Sequence, residues 1–228
     1  MTDFTPSTNP SASIRTGTVP FTYEGEVYQT FYKVYGDLDG RTKTPLVVLH
    51  GGPGLIHDYL APFSDLSVDA SIPVITYDQI GNGRSTHLKD KPAEFWTIEL
   101  FVKELLNLVH ALGIQDAFDL AGHSWGGILA TEYTVREKPV GLKHLVVADS
   151  LAASALWGKS TMELMQTFPK EVQEGLMVGM KEPKKYHQAL LAFHAAYGCT
   201  VTPSPKEYID SLDAVFGENG DPTVANAP

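Results

Sequence analysis

One serine in this chain stands in a sequence typical of a nucleophile. Ser124 lies in the pentapeptide GHSWG, with glycines at 122 and 126, between an apolar run and a segment of helical pattern. A sharp strand-to-helix turn needs small residues two before and two after the serine, because a Cβ there would collide with neighbouring backbone. The hydroxyl then projects at a helix N-terminus, where backbone amides and the helix dipole favour developing negative charge. The pattern predicts that Ser124 is a nucleophile.

A glycine-rich loop with the sequence HGGPG follows another apolar run, at residues 50–54. Glycines let backbone N–H groups approach a substrate oxygen without obstruction by side chains. In the strand-turn-helix arrangement around such a serine, this loop supplies one oxyanion-hole donor and the residue after the nucleophile supplies the other. We therefore assign this role to the amides of Gly52 and Trp125, with Gly51 as the alternative to Gly52. A phosphate-binding loop is disfavoured, because neither G-x-G-x-x-G nor a Lys-Ser/Thr pair follows.

A third polar motif, DQIGNGRS, occupies residues 78–85 and also follows an apolar run. The carboxyl ends of buried parallel strands line the ligand crevice of open α/β sheets, so we expect this motif near the other two. We interpret Asp78 as a structural residue that stabilises a turn through Asx-type hydrogen bonds. Among the nearby histidines, His50 is expected to orient the glycine loop. The side chain of His123 is expected to point away from that of Ser124, which excludes it as a base.

Alternating strand and helix patterns along the first two thirds of the chain must position these motifs. A hairpin is predicted where aromatic or β-branched residues alternate with polar ones, and buried strands are predicted for uninterrupted apolar runs. The predicted elements are a hairpin at 17–35, strands at 45–50, 73–77, 117–121 and 142–148, and helices at 57–68, 98–112 and 127–137. Strands that alternate with helices predict an α/β fold with a parallel sheet and helices on both faces.

After Ser150 the pattern changes to helices alone. Residues 159–217 are helical in pattern and punctuated by prolines, without a convincing strand. We therefore divide the chain into a tail at 1–16, a core at 17–150 and a helical lid at 151–228. The tail is rich in Ser, Thr and Pro and lacks the apolar segment of a signal peptide, so we expect it to be disordered.

The composition argues against several classes of function. The formal charge is −10 and no run of basic residues occurs, which disfavours a nucleic-acid-binding surface. No stretch approaches the roughly 18–20 apolar residues of a membrane-spanning helix. The only cysteine is Cys199, so no disulfide within the chain is expected, and we assign the chain to the cytoplasm.

The three motifs, in this order, resemble those of the proline iminopeptidase branch of the α/β-hydrolases. That branch has HGGPG, then DQxGxGxS, then GxSWGG, which stand here at 50–54, 78–85 and 122–127. The resemblance covers roughly residue 19 onward and is strongest to fungal proline-specific peptidases and amino-acid amidases. It implies an α/β-hydrolase fold with a helical lid, and a serine hydrolase that removes an N-terminal residue, often proline, or cleaves small amides. It also implies a small peptide or amino-acid amide as substrate, with no metal and no organic cofactor.

In this family the free amine of the substrate is held by carboxylates of the lid. The resemblance makes Glu218, in the segment FGENG, the counterpart of one such glutamate. The acid and base of the family follow the lid, so the last strands of the fold and both of these residues are expected beyond residue 228. Within the chain, Asp149 is the candidate acid, and His187 or His194 is the candidate base.

Two other functions stay open from the sequence. Relatives of this type can serve secondary metabolism, so a biosynthetic tailoring hydrolase or esterase is one alternative. The other is a non-catalytic remnant, because a serine without an activating base is a poor nucleophile. A sheet that ends at the strand over 142–148 has an uncovered apolar edge, and we expect such an edge to promote self-association.

Overall fold

A mixed sheet of six strands forms the centre of the molecule in a computed structural model that describes residues 13–227. The strands are β1 (Ile14–Tyr23), β2 (Glu26–Tyr35), β3 (Leu46–Leu49), β4 (Val74–Tyr77), β5 (Phe118–His123) and β6 (Leu142–Ala148). The α-helices are α1 (Asp65–Asp69), α2 (Ile98–Ala111), α3 (Trp125–Glu137), α4 (Ser154–Met165), α5 (Lys170–Val178), α6 (Pro183–Tyr197) and α7 (Lys206–Phe216). The strand order is β1-β2-β4-β3-β5-β6, with β3, β4, β5 and β6 parallel to one another. The predicted α/β class is confirmed.

Strands β1 and β2 form the predicted antiparallel hairpin. They are joined by Glu24 and Gly25, which both have positive φ. This conformation is typical of two-residue hairpin turns, whose twist matches that of the flanking strands. The predicted tail of residues 1–16 is too long, because β1 begins at Ile14 and pairs with β2 from there. The rest of the predicted tail, residues 1–12, lies outside the described part of the chain.

The parallel part of the sheet is covered on both faces. Every residue of β3 and β4 is buried, and alternate residues of these strands belong to two different apolar clusters. The larger cluster includes the apolar face of α2 and residues of α3, and the smaller one includes Leu60. Because successive side chains of a strand point to opposite faces, helical segments lie on both sides of the sheet, as the apolar runs predict.

The segment after β3 differs from the helix predicted over 57–68. It consists of a 3-10 helix, His57–Ser64, followed by the short helix α1. Pro62 lies inside the 3-10 helix, where its missing N–H and its ring oppose continuous α-helical hydrogen bonding. The 3-10 helix packs against β3 and β4 and so brings its side chains to the ends of these strands.

The segment from 151 to 227 contains helices and, within the described residues, no strand. Helices α5 and α6 pack together, and α7 packs against the 3-10 helix His57–Ser64. After α7 the chain returns to the core, where Val224 is buried beside Gly81 and Trp96. No helix in the described part of the chain is long and apolar enough to cross a membrane.

Strand β6 is the outer strand of the described sheet and is exposed along most of its length. It pairs with β5 on one side, and Val146 and Val147 are 51% and 50% exposed. An apolar edge strand offers unpaired backbone N–H and C=O groups to other chains. The described residues thus contain the uncovered edge expected from the sequence, and self-association through it stays a prediction.

We expect residues 1–228, expressed on their own, to form oligomers or aggregates that bind a hydrophobic dye such as ANS. The substitution Val146→Lys places a charge on the edge and should reduce association in size-exclusion chromatography. Val135→Lys is the matched control, because Val135 is also a surface valine, 64% exposed, but belongs to α3. A clean wild-type monomer with a cooperative thermal transition would contradict this prediction.

Candidate active site

Ser124, the predicted nucleophile, lies at the turn between β5 and α3. Its backbone has φ 53° and ψ −119°, and few residues other than glycine adopt a positive φ. The Ser124 N–H donates to Ala148 O at 2.9 Å, and Ser150 Oγ donates to Ser124 O at 2.8 Å. The side chain is half-buried, and its Oγ has no hydrogen-bond partner within the described residues. The hydroxyl is therefore free to contact a ligand.

The two glycines that flank the turn have no room for a side chain. A Cβ added to Gly122 would lie 2.1 Å from Gly126 O, and one added to Gly126 would lie 2.2 Å from Leu49 O. Both neighbours are backbone atoms that no side-chain rotation can move. The structure thus gives the physical reason for small residues on either side of Ser124.

The glycine loop after β3 lies beside the serine, since a Cβ on Gly51 would be 3.1 Å from Ser124 Cβ. The Gly51 N–H donates to Tyr59 Oη at 2.7 Å and is therefore engaged within the protein. In contrast, the N–H groups of Gly52 and Trp125 have no acceptor among the described residues. Gly52 has φ 118°, a conformation that glycine adopts far more readily than other residues.

The Tyr59 hydroxyl also connects the glycine loop to the residue before the serine. Tyr59 Oη lies 2.8 Å from His123 Nδ1. Burial raises the pKa of Tyr59 above its ordinary value. Burial lowers the pKa of His123, and the nearby Asp149 carboxylate partly opposes this change. Both rings are therefore neutral at pH 7, and His123 has no hydrogen bond with Ser124 within the described residues.

Asp78 is a fully buried carboxylate that joins two chain segments. Its Oδ1 accepts from the backbone N–H of His57 at 2.9 Å and lies 2.7 Å from His57 Nδ1. Its Oδ2 accepts from the backbone N–H of Arg84 at 2.9 Å. Burial favours the neutral acid, but the hydrogen bonds from His57 and Arg84 outweigh it and lower the pKa of Asp78. These contacts agree with the structural role predicted for this residue.

Comparison with known proteins gives the family to which this site belongs. Residues 44–175 match the family model of the alpha/beta hydrolase fold. The crystal structure of a proline iminopeptidase from Mycobacterium smegmatis aligns with a TM-score of 0.74 at 34% identity, covering 93% of this chain and 71% of that one. The chain belongs to the proline iminopeptidase family of α/β-hydrolases. The resemblance and the fold predicted from the three motifs are thereby confirmed.

Other similar proteins align with different shares of this chain. The crystal structure of VinJ aligns with a TM-score of 0.82 at 39% identity, covering 96% of this chain and 72% of that one. The proline iminopeptidase of Lactiplantibacillus plantarum is 39% identical over 139 residues, which are 61% of this chain and 47% of that protein. That of Lactobacillus delbrueckii subsp. lactis is 33% identical over 184 residues, or 79% and 62%. The chain spans about half to three fifths of the length of these curated relatives.

The two histidines considered as bases, His187 and His194, lie in the lid beside other lid side chains. His194 is hydrogen-bonded through Nδ1 to the hydroxyl of Tyr208. His187 Nε2 lies 3.8 Å from Asp213 Oδ1. Within the described residues, neither histidine forms a hydrogen bond with Ser124. The structure therefore does not bring them together with the predicted nucleophile.

The two candidate carboxylates lie at exposed positions. Asp149 follows β6 and has φ 47°. Its carboxylate raises the pKa of His123, but among the described residues it forms no hydrogen bond with Ser124. Glu218 lies in an exposed turn after α7. In the described part of the chain, no group of three or more His, Cys, Asp or Glu side chains is arranged to hold a metal ion.

Two side chains near Ser124 were not singled out from the sequence. Tyr59 engages the Gly51 amide, and Gln79 accepts a hydrogen bond from the indole N–H of Trp125. Gln79 belongs to the DQxGxGxS motif, so its position in a family motif was a signal that sequence reasoning could have used. Tyr59 lies in no motif, and only the three-dimensional contact reveals it.

Glu104 is a fully buried carboxyl group on α2, next to the strand ends that carry the motifs. Its Oε1 accepts from Thr30 Oγ1 at 2.6 Å, and both oxygens lie 3.0 Å from the Ile80 N–H. Burial raises the pKa of Glu104 to about 8, the hydrogen bonds from Thr30 and Ile80 oppose this shift, and the charge of Asp78 adds to it. Glu104 thus holds the backbone of the third motif in place.

The protein should lose stability as the buried carboxyl group of Glu104 ionises. The ordinary pKa of the group is 4.5 and the folded value is about 8, so the stabilisation is complete below about pH 4.5 and is lost as the pH rises toward 8. In the native full-length protein, the advantage of Glu104→Gln over the wild type should therefore grow between about pH 5 and pH 8 in urea denaturation. Glu94→Gln is the control for loss of a carboxylate at an exposed position. A difference between Glu104→Gln and the wild type that does not change with pH would overturn this explanation.

Proposed function

We propose that this protein is a serine hydrolase that releases an N-terminal proline or another amino acid from a peptide or small amide, through an acyl-enzyme on Ser124. One arrangement carries the proposal: the unpaired Ser124 hydroxyl lies beside the glycine loop, and the backbone N–H groups of Gly52 in that loop and of Trp125 have no acceptors among the described residues. Backbone donors of this kind stabilise the oxyanion of a tetrahedral intermediate. Membership of the proline iminopeptidase family supports the choice of amide bonds as substrates.

In the proposed reaction, Ser124 Oγ attacks the scissile carbonyl carbon while a general base takes the hydroxyl proton. The carbonyl oxygen becomes negative and accepts hydrogen bonds from the N–H groups of Gly52 and Trp125. The C–N bond then breaks, the amine leaves with the transferred proton, and water releases the acyl group by the same sequence of steps. Gly51 takes no direct part, because its N–H already donates to Tyr59.

We place the general base and its carboxylate partner outside the described residues. A triad needs a hydrogen bond between the nucleophile and the base, and neither His187 nor His194 forms one with Ser124. Asp149 lies near His123, which occupies the position before the nucleophile. The family resemblance implies that both missing groups follow the lid.

Glu218 is our proposed partner for the free ammonium group of the substrate. Its carboxylate is exposed and has no ion pair among the described residues, so it is available to a ligand. An ammonium group removed from water requires a paired partner of opposite charge. Helix α7, which leads to Glu218, packs against the 3-10 helix that carries Tyr59, so the proposed amine site and the glycine loop share one support.

The nucleophile assignment predicts covalent labelling. In the native full-length protein, a fluorophosphonate probe should modify Ser124, and Ser124→Ala should abolish the labelling, because the probe forms its bond with an activated serine oxygen. Residues 1–228 alone should react slowly if at all, since the activating base lies outside them in this proposal. Mass spectrometry of the labelled peptide distinguishes Ser124 from Ser85. Labelling that persists in Ser124→Ala, or that occurs at Ser85, would disprove the assignment.

The substrate assignment predicts selectivity for a free amine. The native full-length protein should cleave prolyl and other aminoacyl arylamides faster than their N-acetylated forms, because acetylation removes the charge that Glu218 is proposed to bind. Glu218→Gln should raise KM for the free-amine substrates, measured by release of the arylamine. Glu207→Gln, at an exposed position on α7, the helix that precedes Glu218, is the matched control. Equal cleavage of N-acetylated substrates or of simple fatty esters would favour an esterase instead.

A further inference from the structure

Gln79 joins the two segments that carry the proposed oxyanion donors. It lies two residues after the end of β4, and its side chain is fully buried. Its Nε2 donates to His50 O at 3.1 Å, and its Oε1 accepts from Trp125 Nε1 at 2.9 Å. A single side-chain amide therefore contacts the start of the glycine loop on one side and the first residue of α3 on the other.

The partners of the Gln79 amide determine its orientation. A backbone carbonyl only accepts hydrogen bonds and an indole N–H only donates them, so a flipped amide would lose both bonds. A glutamate of the same length has no N–H for His50 O, and a methionine offers neither a donor nor a comparable acceptor. Glutamine is therefore the side chain of this length that satisfies both partners.

The backbone of Gln79 adds a third link to the glycine loop. Its N–H donates to His50 Nε2 at 3.0 Å, so this ring nitrogen carries no proton. The proton is on Nδ1, which donates to Gly51 O at 3.0 Å. Burial lowers the pKa of His50 to about 4 and keeps the ring neutral at pH 7. The bonds thus run from Gln79 through His50 to Gly51, the residue before the proposed donor Gly52.

We propose that Gln79 is a positioning residue that sets the distance between the N–H groups of Gly52 and Trp125. The inference rests on the proposed function, because it concerns the same oxyanion hole. Donors of this kind act only when they are held at hydrogen-bonding distance from the developing charge. Residues 50–54 lie outside any strand or helix, so contacts with other segments must hold them. Gln79 acts through the glycine loop and α3, without touching the substrate.

The test uses the native full-length protein and a fluorophosphonate probe, whose phosphoryl oxygen needs the same donors as a substrate oxyanion. Gln79→Met keeps the length of the side chain and removes both hydrogen bonds. We expect the maximal rate of labelling to fall about 10- to 100-fold with little change in the affinity for the probe, because the donors act mainly in the transition state. Gln79→Glu, which loses the donor to His50 O, should slow labelling as well. Hydrogen exchange of residues 50–54 should be faster in both variants, well below their melting temperatures.

Gln115→Met is the matched control, because Gln115 is half-buried and its Oε1 has no hydrogen-bond partner within the described residues. It should label at the wild-type rate. Trp125→Phe removes the other side of the contact, so the double variant with Gln79→Met should be no slower than the slower single variant.

The possible results distinguish a failure of the positioning role of Gln79 from a failure of the proposed function. If Ser124→Ala is not labelled but Gln79→Met labels within twofold of the wild-type rate, the positioning role is wrong and the proposed function stands. A loss of thermal stability in Gln79→Met with an unchanged labelling rate would also reject the positioning role. If Ser124→Ala is labelled as fast as the wild type, the proposed function fails and this inference fails with it.

Discussion

The close backbone approach at the nucleophile turn is the constraint on which the rest of this structure depends. Glycines at 122 and 126 let α3 begin directly against the end of β3, where a single Cβ would overlap Leu49 O. Ser124 can then occupy a positive-φ conformation that costs on the order of 1–3 kcal/mol and persists only where its surroundings enforce it. The enforcing contacts come from Ala148 at the end of β6 and from Ser150, so the order of the parallel strands itself holds the serine.

Buried polar side chains form a second layer beneath this turn. His50, Asp78, Gln79 and Glu104 are all fully buried, and each has hydrogen-bond partners on another chain segment. Buried polar groups are tolerated only when they are paired, so these residues permit few arrangements of the loops around them. Apolar packing of the strands holds the sheet together. This polar layer instead holds the loops, which have no hydrogen bonds of a regular strand or helix. The carboxyl ends of β3 and β4 therefore combine a structural network with the candidate site.

Local patterns in the sequence were sufficient for most of the fold. The hairpin, the buried strands and the long helix α2 follow from residue spacing, because each depends on neighbours within a few positions. The 3-10 helix escaped prediction because Pro62 changes the hydrogen bonding inside an otherwise helical pattern. Ile14 was assigned to a tail because its pairing with β2 is not visible in a Ser/Thr/Pro-rich composition. Tyr59 contacts His123, 64 positions away, and lies in no motif, so one sequence contains no signal for this contact. Gln79 stands in a family motif that marks its position, but its contact with Trp125, 46 positions away, is visible only in the structure.

The packing of the lid onto the glycine loop gives a physical reason for selectivity toward N-terminal residues in the proposed function. Beyond the turn that carries Glu218, the chain bonds to the core through Asp221 and His87 and then lies against the glycine loop, where a Cβ on Gly54 would be 2.9 Å from Ala225 Cβ. The proposed ammonium partner and the proposed oxyanion donors thus belong to one packed unit, and their separation is a property of the fold. In an N-terminal residue a single carbon, Cα, separates the charged amine from the scissile carbonyl, so the distance between the amine and the carbonyl oxygen is short and nearly fixed. An internal peptide bond has no charged amine at that spacing and can satisfy only the oxyanion donors.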